Sequence, residues 1–237
     1  MVSSPAPMLS LFLLCLAAGI LWALWLPGEG MLASFYAWMA VVAFLLFACR
    51  LGLGWDPWVA GAAGGALAYR LKGTRSVLAL ASLLATGALG KAAWALPGMK
   101  AMSLATVGLS AMVLGVVLDA MVLGHWYLVQ HGLSFKPLQR MSLLVLVFVL
   151  ARTLLASLWI WRSGSLDALT GPQNLVFFLT RCLMGFAGPL ALGWMVRECV
   201  KLKSNTSATG ILYVVSVFVL VGEFSAAYFW ASMGALL

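Results

Sequence analysis

The chain is a succession of long apolar runs separated by short polar connections. The runs cover approximately residues 8–26, 31–50, 57–71, 76–96, 101–130, 141–162, 172–197 and 207–235. A helix rises about 1.5 Å per residue and needs about 20 mostly apolar residues to cross a bilayer. Most of the runs reach that length, so the pattern predicts an all-α, polytopic transmembrane helix bundle. The run at 57–71 is the exception, because it is short and rich in Gly and Ala. In its favour, Asp56-Pro57 is a good helix start: Asp caps free N–H groups, and Pro at the first helical position loses nothing. Gly61, Gly64, Gly65 and Ala68 let a neighbouring helix approach closely. Eight spans are expected, with seven as the alternative.

Composition supports this pattern. Of 237 residues, 64% are hydrophobic and 8% charged, against roughly 25% charged in a soluble domain. The spans consume nearly the whole chain, so residues 1–237 are read as one integral membrane domain. Any soluble catalytic step then belongs to a partner subunit. The first run carries no preceding Lys or Arg and continues into Trp22 and Trp25, as a retained span does. The cysteines Cys15, Cys49, Cys182 and Cys199 have no CxxC spacing and read as buried free thiols.

The formal charge of +8 does not imply a nucleic-acid partner, because most basic residues lie in short connections, where they orient a membrane protein. Arg70, Lys72 and Arg75 form one group, Lys136 and Arg140 a second, and Arg197, Lys201 and Lys203 a third. Alternating segments bring all three to one side, which the positive-inside rule makes cytoplasmic, with the C-terminus outside. A bacterial cytoplasmic membrane is the expected location. Eight spans put Arg50 outside and seven put it inside. Trp94, Trp159, Trp161 and Trp230 then mark the outer interface, and Trp126 and Trp194 the inner one.

Four ionisable residues lie deep in the long runs: Asp119, Arg152, Arg181 and Glu223. A charge at mid-membrane costs about 2.5–3.5 kcal/mol on insertion scales, so it faces the bundle interior and finds a partner. Measured along their own helices, all four fall within roughly 6 Å of the middle, which predicts one shared polar layer. Lys91 is near enough to a span end to snorkel outward. The layer can be two ion pairs that fix packing, or a polar chamber that binds a small molecule or passes protons through Asp119 and Glu223. Pro189 frees the carbonyl of Gly185 and predicts a bend eased by Gly188.

A second candidate is Gly124-His125-Trp126-Tyr127, followed by His131. It reads as an interfacial aromatic girdle, or as a headgroup pocket in which His125 and Tyr127 hydrogen-bond a ring carbonyl. His125 and Asp119 are six residues apart and point about 120° away from each other. The two histidines also point apart, which argues against a bis-histidine haem and leaves only a disfavoured His/Met one. Ligands for a zinc or two-metal site are lacking, and no phosphate loop, nucleophile elbow or HExxH motif occurs.

The last run carries Tyr213, then Leu220-Val221-Gly222-Glu223, then Tyr228-Phe229. It resembles the final helix of the quinol-interacting membrane anchors of the dimethyl-sulfoxide-reductase and polysulfide-reductase type. That family is many-spanned, has no haem in its typical members, and passes electrons between membrane quinone and an iron–sulfur partner. In the anchors the Gly-Glu pair is followed by an Arg before the aromatic pair; here that place is Ala227. Over this one helix, the resemblance gives weight to Glu223. It implies a membrane subunit that interacts with quinone alongside redox partners. A structural or assembly subunit and a small-solute or proton-coupled transporter remain the alternatives.

Overall fold

The computed structural model describes residues 5–26, 33–96, 100–130, 134–163 and 172–233. These form helices α1 (Pro5–Ala23), α2 (Ala33–Gly52), α3 (Pro57–Lys72), α4 (Arg75–Ala95), α5 (Lys100–Val129), α6 (Lys136–Ser163), α7 (Pro172–Thr180), α8 (Gly188–Lys201) and α9 (Asn205–Met233). Helices α7 and α8 are joined by a π-helical stretch, Arg181–Ala187, into one rod spanning Pro172–Lys201. The protein is therefore an all-α bundle, with eight rods among the described residues. Among the described residues, six of them (α2, α4, α5, α6, the α7–α8 rod and α9) are long and apolar enough to cross a bilayer, and Pro7–Ala23 of α1 is a shorter apolar helix. Helix α3, with 16 residues, is about 24 Å long, short of the about 30 Å hydrocarbon core.

Close contacts settle the relative directions of α1, α3, α4, α5 and α9. Cys15 meets Val107 and Gly19 meets Ala111 and Gly115, so α1 and α5 run parallel. Gly61 faces Leu84 and Gly65 faces Ala81, so α3 and α4 are antiparallel. Trp22 and Trp25 reach Thr86 and Ser82, making α1 antiparallel to α4. Gly124 packs on Thr209, while Ser110 lies beside Glu223, so α5 and α9 are antiparallel. Direction thus alternates along the rods, and the three basic groups foreseen from the sequence end up at one end of the bundle. Helix α3 reverses the chain like its longer neighbours. Of its small residues, Gly61 and Gly65 do the packing, whereas Gly64 faces open space.

The start of α3 follows its local chemistry. Asp56 is extended (φ −144°, ψ 122°) and accepts the Trp58 N–H at 3.0 Å, with Pro57 as the first helical residue. Lys91, near the far end of α4, extends toward the same end of the bundle and pairs with Asp56 at 2.5 Å. Burial pushes the Asp56 carboxyl up, but the Lys91 ammonium and the N–H groups of Trp58 and Val59 outweigh it and hold the group below the usual carboxylate range. A depressed folded-state value means that this stabilisation is present above about pH 4 and is lost as pH falls through the lower folded value. Asp56→Ala is expected to cost about 1 kcal/mol as a lost cap. Asp56→Asn keeps the cap and is expected to flatten the acid limb of a melting-temperature-against-pH curve. An unchanged acid limb would show that the pair contributes nothing.

Candidate functional site

Helix α9 brings Glu223 into the centre of the bundle, where it is 4% exposed. Arg152 of α6 and Arg181 of the π-helical stretch, each 1% exposed, converge on it. Arg181 Nη1 lies 2.9 Å from Glu223 Oε1, and Arg152 Nε lies 3.5 Å from the same oxygen. Arg152 Nε also donates to Ser110 Oγ of α5 at 3.1 Å, and Ser110 in turn hydrogen-bonds the Glu223 carboxylate. Two guanidinium groups and one carboxylate leave the cluster with one net positive charge. Such a cluster favours an acceptor: an anion, or a carbonyl oxygen.

Local sequence explains how three helices meet so tightly. Pro189 has no N–H to give and its ring crowds the carbonyl four residues back. The chain answers by widening to π-helix just before it, and the Gly188 N–H reaches back to Leu183 O. This stretch begins at Arg181. The Arg181 side chain runs alongside Gly185, where a Cβ would stand 2.7 Å from Nη1, and its guanidinium sits 4.3 Å from the centre of the Phe186 ring. A Cβ on Gly222 would overlap the backbone of Gly185, so this glycine pair lets α9 approach and sets Glu223 against Arg181. The Arg181–Glu223 contact is one of charge: Nε, Nη1 and Nη2 of Arg181 make no aligned hydrogen bond among the described residues.

Beside the cluster lies a partly open cavity of about 40 Å³ between α1, α5 and α9. Arg152, Glu223 and Ser110 form its polar end, while Phe12, Leu114 and Trp230 give it apolar walls. It extends away from the basic end of the bundle, toward Trp230, which lies about 10.5 Å along α9 from Glu223. Ser110, Thr106 and Ala227 also line it. Sequence reasoning had left Ser110 and Thr106 aside, although Ser103, Thr106 and Ser110 repeat at helical spacing as a buried polar stripe on α5.

Asp119 does not join the expected layer. It lies nine residues beyond Ser110 on α5, about 13.5 Å along the axis toward the basic end. Both Asp119 and Glu223 lie past the midpoints of their own helices, and because α5 and α9 are antiparallel these two offsets point to opposite ends and add. His125 and Tyr127 stand apart from the cluster too. His125 Nδ1 is 3.1 Å from the Tyr213 hydroxyl at an exposed position. Tyr127 donates to the Ser134 carbonyl and stacks on Phe135, tying the α5–α6 connection down. His131 lies outside the described residues. Among the described residues, no three His, Cys, Asp or Glu side chains gather to hold a metal ion. No protein-family model matches the chain, and no curated protein or solved structure matches it at a significant level.

Proposed function

We propose that this chain is a membrane subunit that binds the headgroup of a quinone in the cavity beside Glu223 and works with redox partner proteins. One observation carries the reading: an apolar, aromatic-walled cavity ends on a fixed hydrogen-bond donor, the Arg152 guanidinium held by Ser110, beside a carboxylate at mid-depth. A ring carbonyl would accept from the Arg152 guanidinium while the ring edge lies against Phe12 and Trp230, and Arg152 keeps its proton throughout. The likeness of the last helix to the quinol-interacting anchors supports the same assignment, with Ala227 leaving a methyl group in the cavity wall. In this reading all eight rods cross a bacterial cytoplasmic membrane, the basic end is cytoplasmic, and the C-terminus is outside. Soluble redox subunits would carry the electrons to or from the bound quinone.

The test is saturable binding of menadione and decylubiquinone to the purified protein. Ala227→Leu fills the cavity while leaving the charged cluster intact, and Glu223→Gln removes the carboxylate charge. Each is expected to weaken binding about tenfold or more, which is about 1.4 kcal/mol. Binding that neither variant alters, or no saturable binding at all, overturns the proposal. A second reading, in which the cluster only locks the helices together, is favoured by the Gly185–Gly222 interlock. It predicts altered stability in these variants with no ligand to lose.

A further inference from the structure

Asp119 is the most isolated charged group in the bundle. It is 0% exposed, and neither carboxylate oxygen has a hydrogen-bond partner among the described residues. The ion pairs of the described residues engage Asp56, Glu198 and Glu223, and none engages Asp119. Two turns along the same face of α5, within about 20° of its direction, the Trp126 indole N–H is also buried with no acceptor among the described residues. Phe35 at the start of α2 packs edge-on to Trp126 at 6.4 Å. Its neighbour Tyr36 is within electrostatic reach of Asp119, Tyr69 and Arg75. Arg75 is exposed at the basic end. Polar groups on α5, α2 and α4 (Trp126, Tyr36 and Arg75) therefore lie on the basic-end side of Asp119.

Among the described residues, the elements packed on α5 offer no cation to this carboxylate. On α2, Arg50 lies at the far end and donates to the Gly54 carbonyl, and on α6, Lys136, Arg140 and Arg162 are exposed near its ends. The described part of α1 has no charged side chain, and its Cys15 faces Val107 and the cavity. On α4, Lys91 is engaged with Asp56 and Arg75 lies at the surface; on α6, Arg152 is engaged with Glu223 and Ser110. On α9, Glu223 belongs to the cluster, Tyr213 is bonded to His125, and Tyr228 lies against Asn174 and Phe177. An ionised carboxylate left alone in such a medium is heavily penalised, and a group so placed is neutralised instead. A proton is the one neutralising partner that needs no further ligands.

We infer that Asp119 is a proton-binding site, served from the basic end through the α2–α5 seam by way of Tyr36 and distinct from the cavity at Glu223. The site stands whether or not the cavity takes a quinone, because Asp119 lies about 13.5 Å along α5 from Ser110 at the cavity's polar end, and it does not line the cavity.

The experiment is infrared spectroscopy of the full-length protein in lipid, following the carboxylic-acid carbonyl stretch in water and after transfer to deuterium oxide. The expected result is a protonated-carboxyl band at neutral pH that disappears in Asp119→Asn, moves in Asp119→Glu, and shifts on deuteration. In Tyr36→Phe the band is expected to persist while its deuterium shift slows several-fold. If Asp119→Asn does not fold, the displaced band of Asp119→Glu still reports the site. A band that neither Asp119 variant changes, or one that sodium ions abolish, shows a carboxylate held by a cation and overturns the inference. A band that never shifts in deuterium oxide identifies a sealed structural acid, with the same consequence. Deuteration at the wild-type rate in Tyr36→Phe overturns the route.

Discussion

Replacing Glu223 by leucine is expected to cost about 3–5 kcal/mol, because it strands two buried guanidinium groups in the bundle centre. That is a large part of the about 5–15 kcal/mol that holds a typical native protein together. Arg152 would keep only Ser110 of the contacts described above, and Arg181 only the face of Phe186. Arg181→Met is expected to be much milder. It removes the surplus positive charge and three poorly satisfied nitrogens, and it leaves the Arg152–Ser110–Glu223 chain in place. Combining Glu223→Leu with Arg152→Met and Arg181→Met is expected to recover most of the loss, since an apolar core replaces an ionic one at little net cost. Thermal unfolding in detergent, followed by loss of helical circular dichroism, ranks the variants. If Glu223→Leu melts with the wild type, the cluster is reached by water and its burial is not what governs stability.

The second large effect is expected from Gly115→Leu. Helices α1 and α5 touch through their backbones: a Cβ on Gly115 would overlap the peptide of Gly19, and a Cβ on Gly19 would overlap the carbonyl of Ala111. Such small-residue seams supply close packing where lipid offers no hydrophobic drive between helices. Leucine there must part the helices, so the cost is expected to reach or exceed the about 1–3 kcal/mol typical of overpacking. The same seam carries Cys15, Val107 and Ser110 along one side of the cavity. Parting it is expected to expose Cys15, which is 4% accessible, and to speed its labelling by a maleimide. Gly108→Ala on the same helix is the control, since nothing lies within 4 Å of the added carbon. Equal labelling rates in Gly115→Leu and wild type would show that the seam yields without opening the cavity.

Much of the architecture was legible because a bilayer makes a strict demand on sequence: every crossing needs a long apolar run with its backbone satisfied internally. The predicted runs at 76–96, 101–130 and 207–235 became Arg75–Ala95, Lys100–Val129 and Asn205–Met233. Asp56 and Pro57 announced the short third helix, because a cap is a local bond within three residues. Pro189 announced an irregularity, and the structure resolved it as π-helix in place of a simple bend. The buried state of Asp119, Arg152, Arg181 and Glu223 was also readable, since each sits far from any span end.

Partnership was not readable. Lys91 extends to its end of the bundle as expected, but its partner there, the capping carboxylate of α3, lies 35 residues away in the chain and was not legible. Both arginines chose Glu223 and left Asp119 without one, although the sequence offered two acids to two bases. His125 turned to Tyr213 on α9, 88 residues along, rather than to a pocket. Each outcome depends on the sliding and rotation of one helix against another. Those are set by contacts such as Gly19 with Gly115 and Gly185 with Gly222, where the absence of a side chain lets backbones meet. The sequence by itself determined an all-helical membrane bundle, the ends of its rods, and four charges that had to be buried. Only the tertiary structure decided that three of them form one cluster beside a cavity and that the fourth stands alone. Helical periodicity specifies depth and face along each rod, whereas the relative stagger of the rods is fixed by packing between residues far apart in the chain.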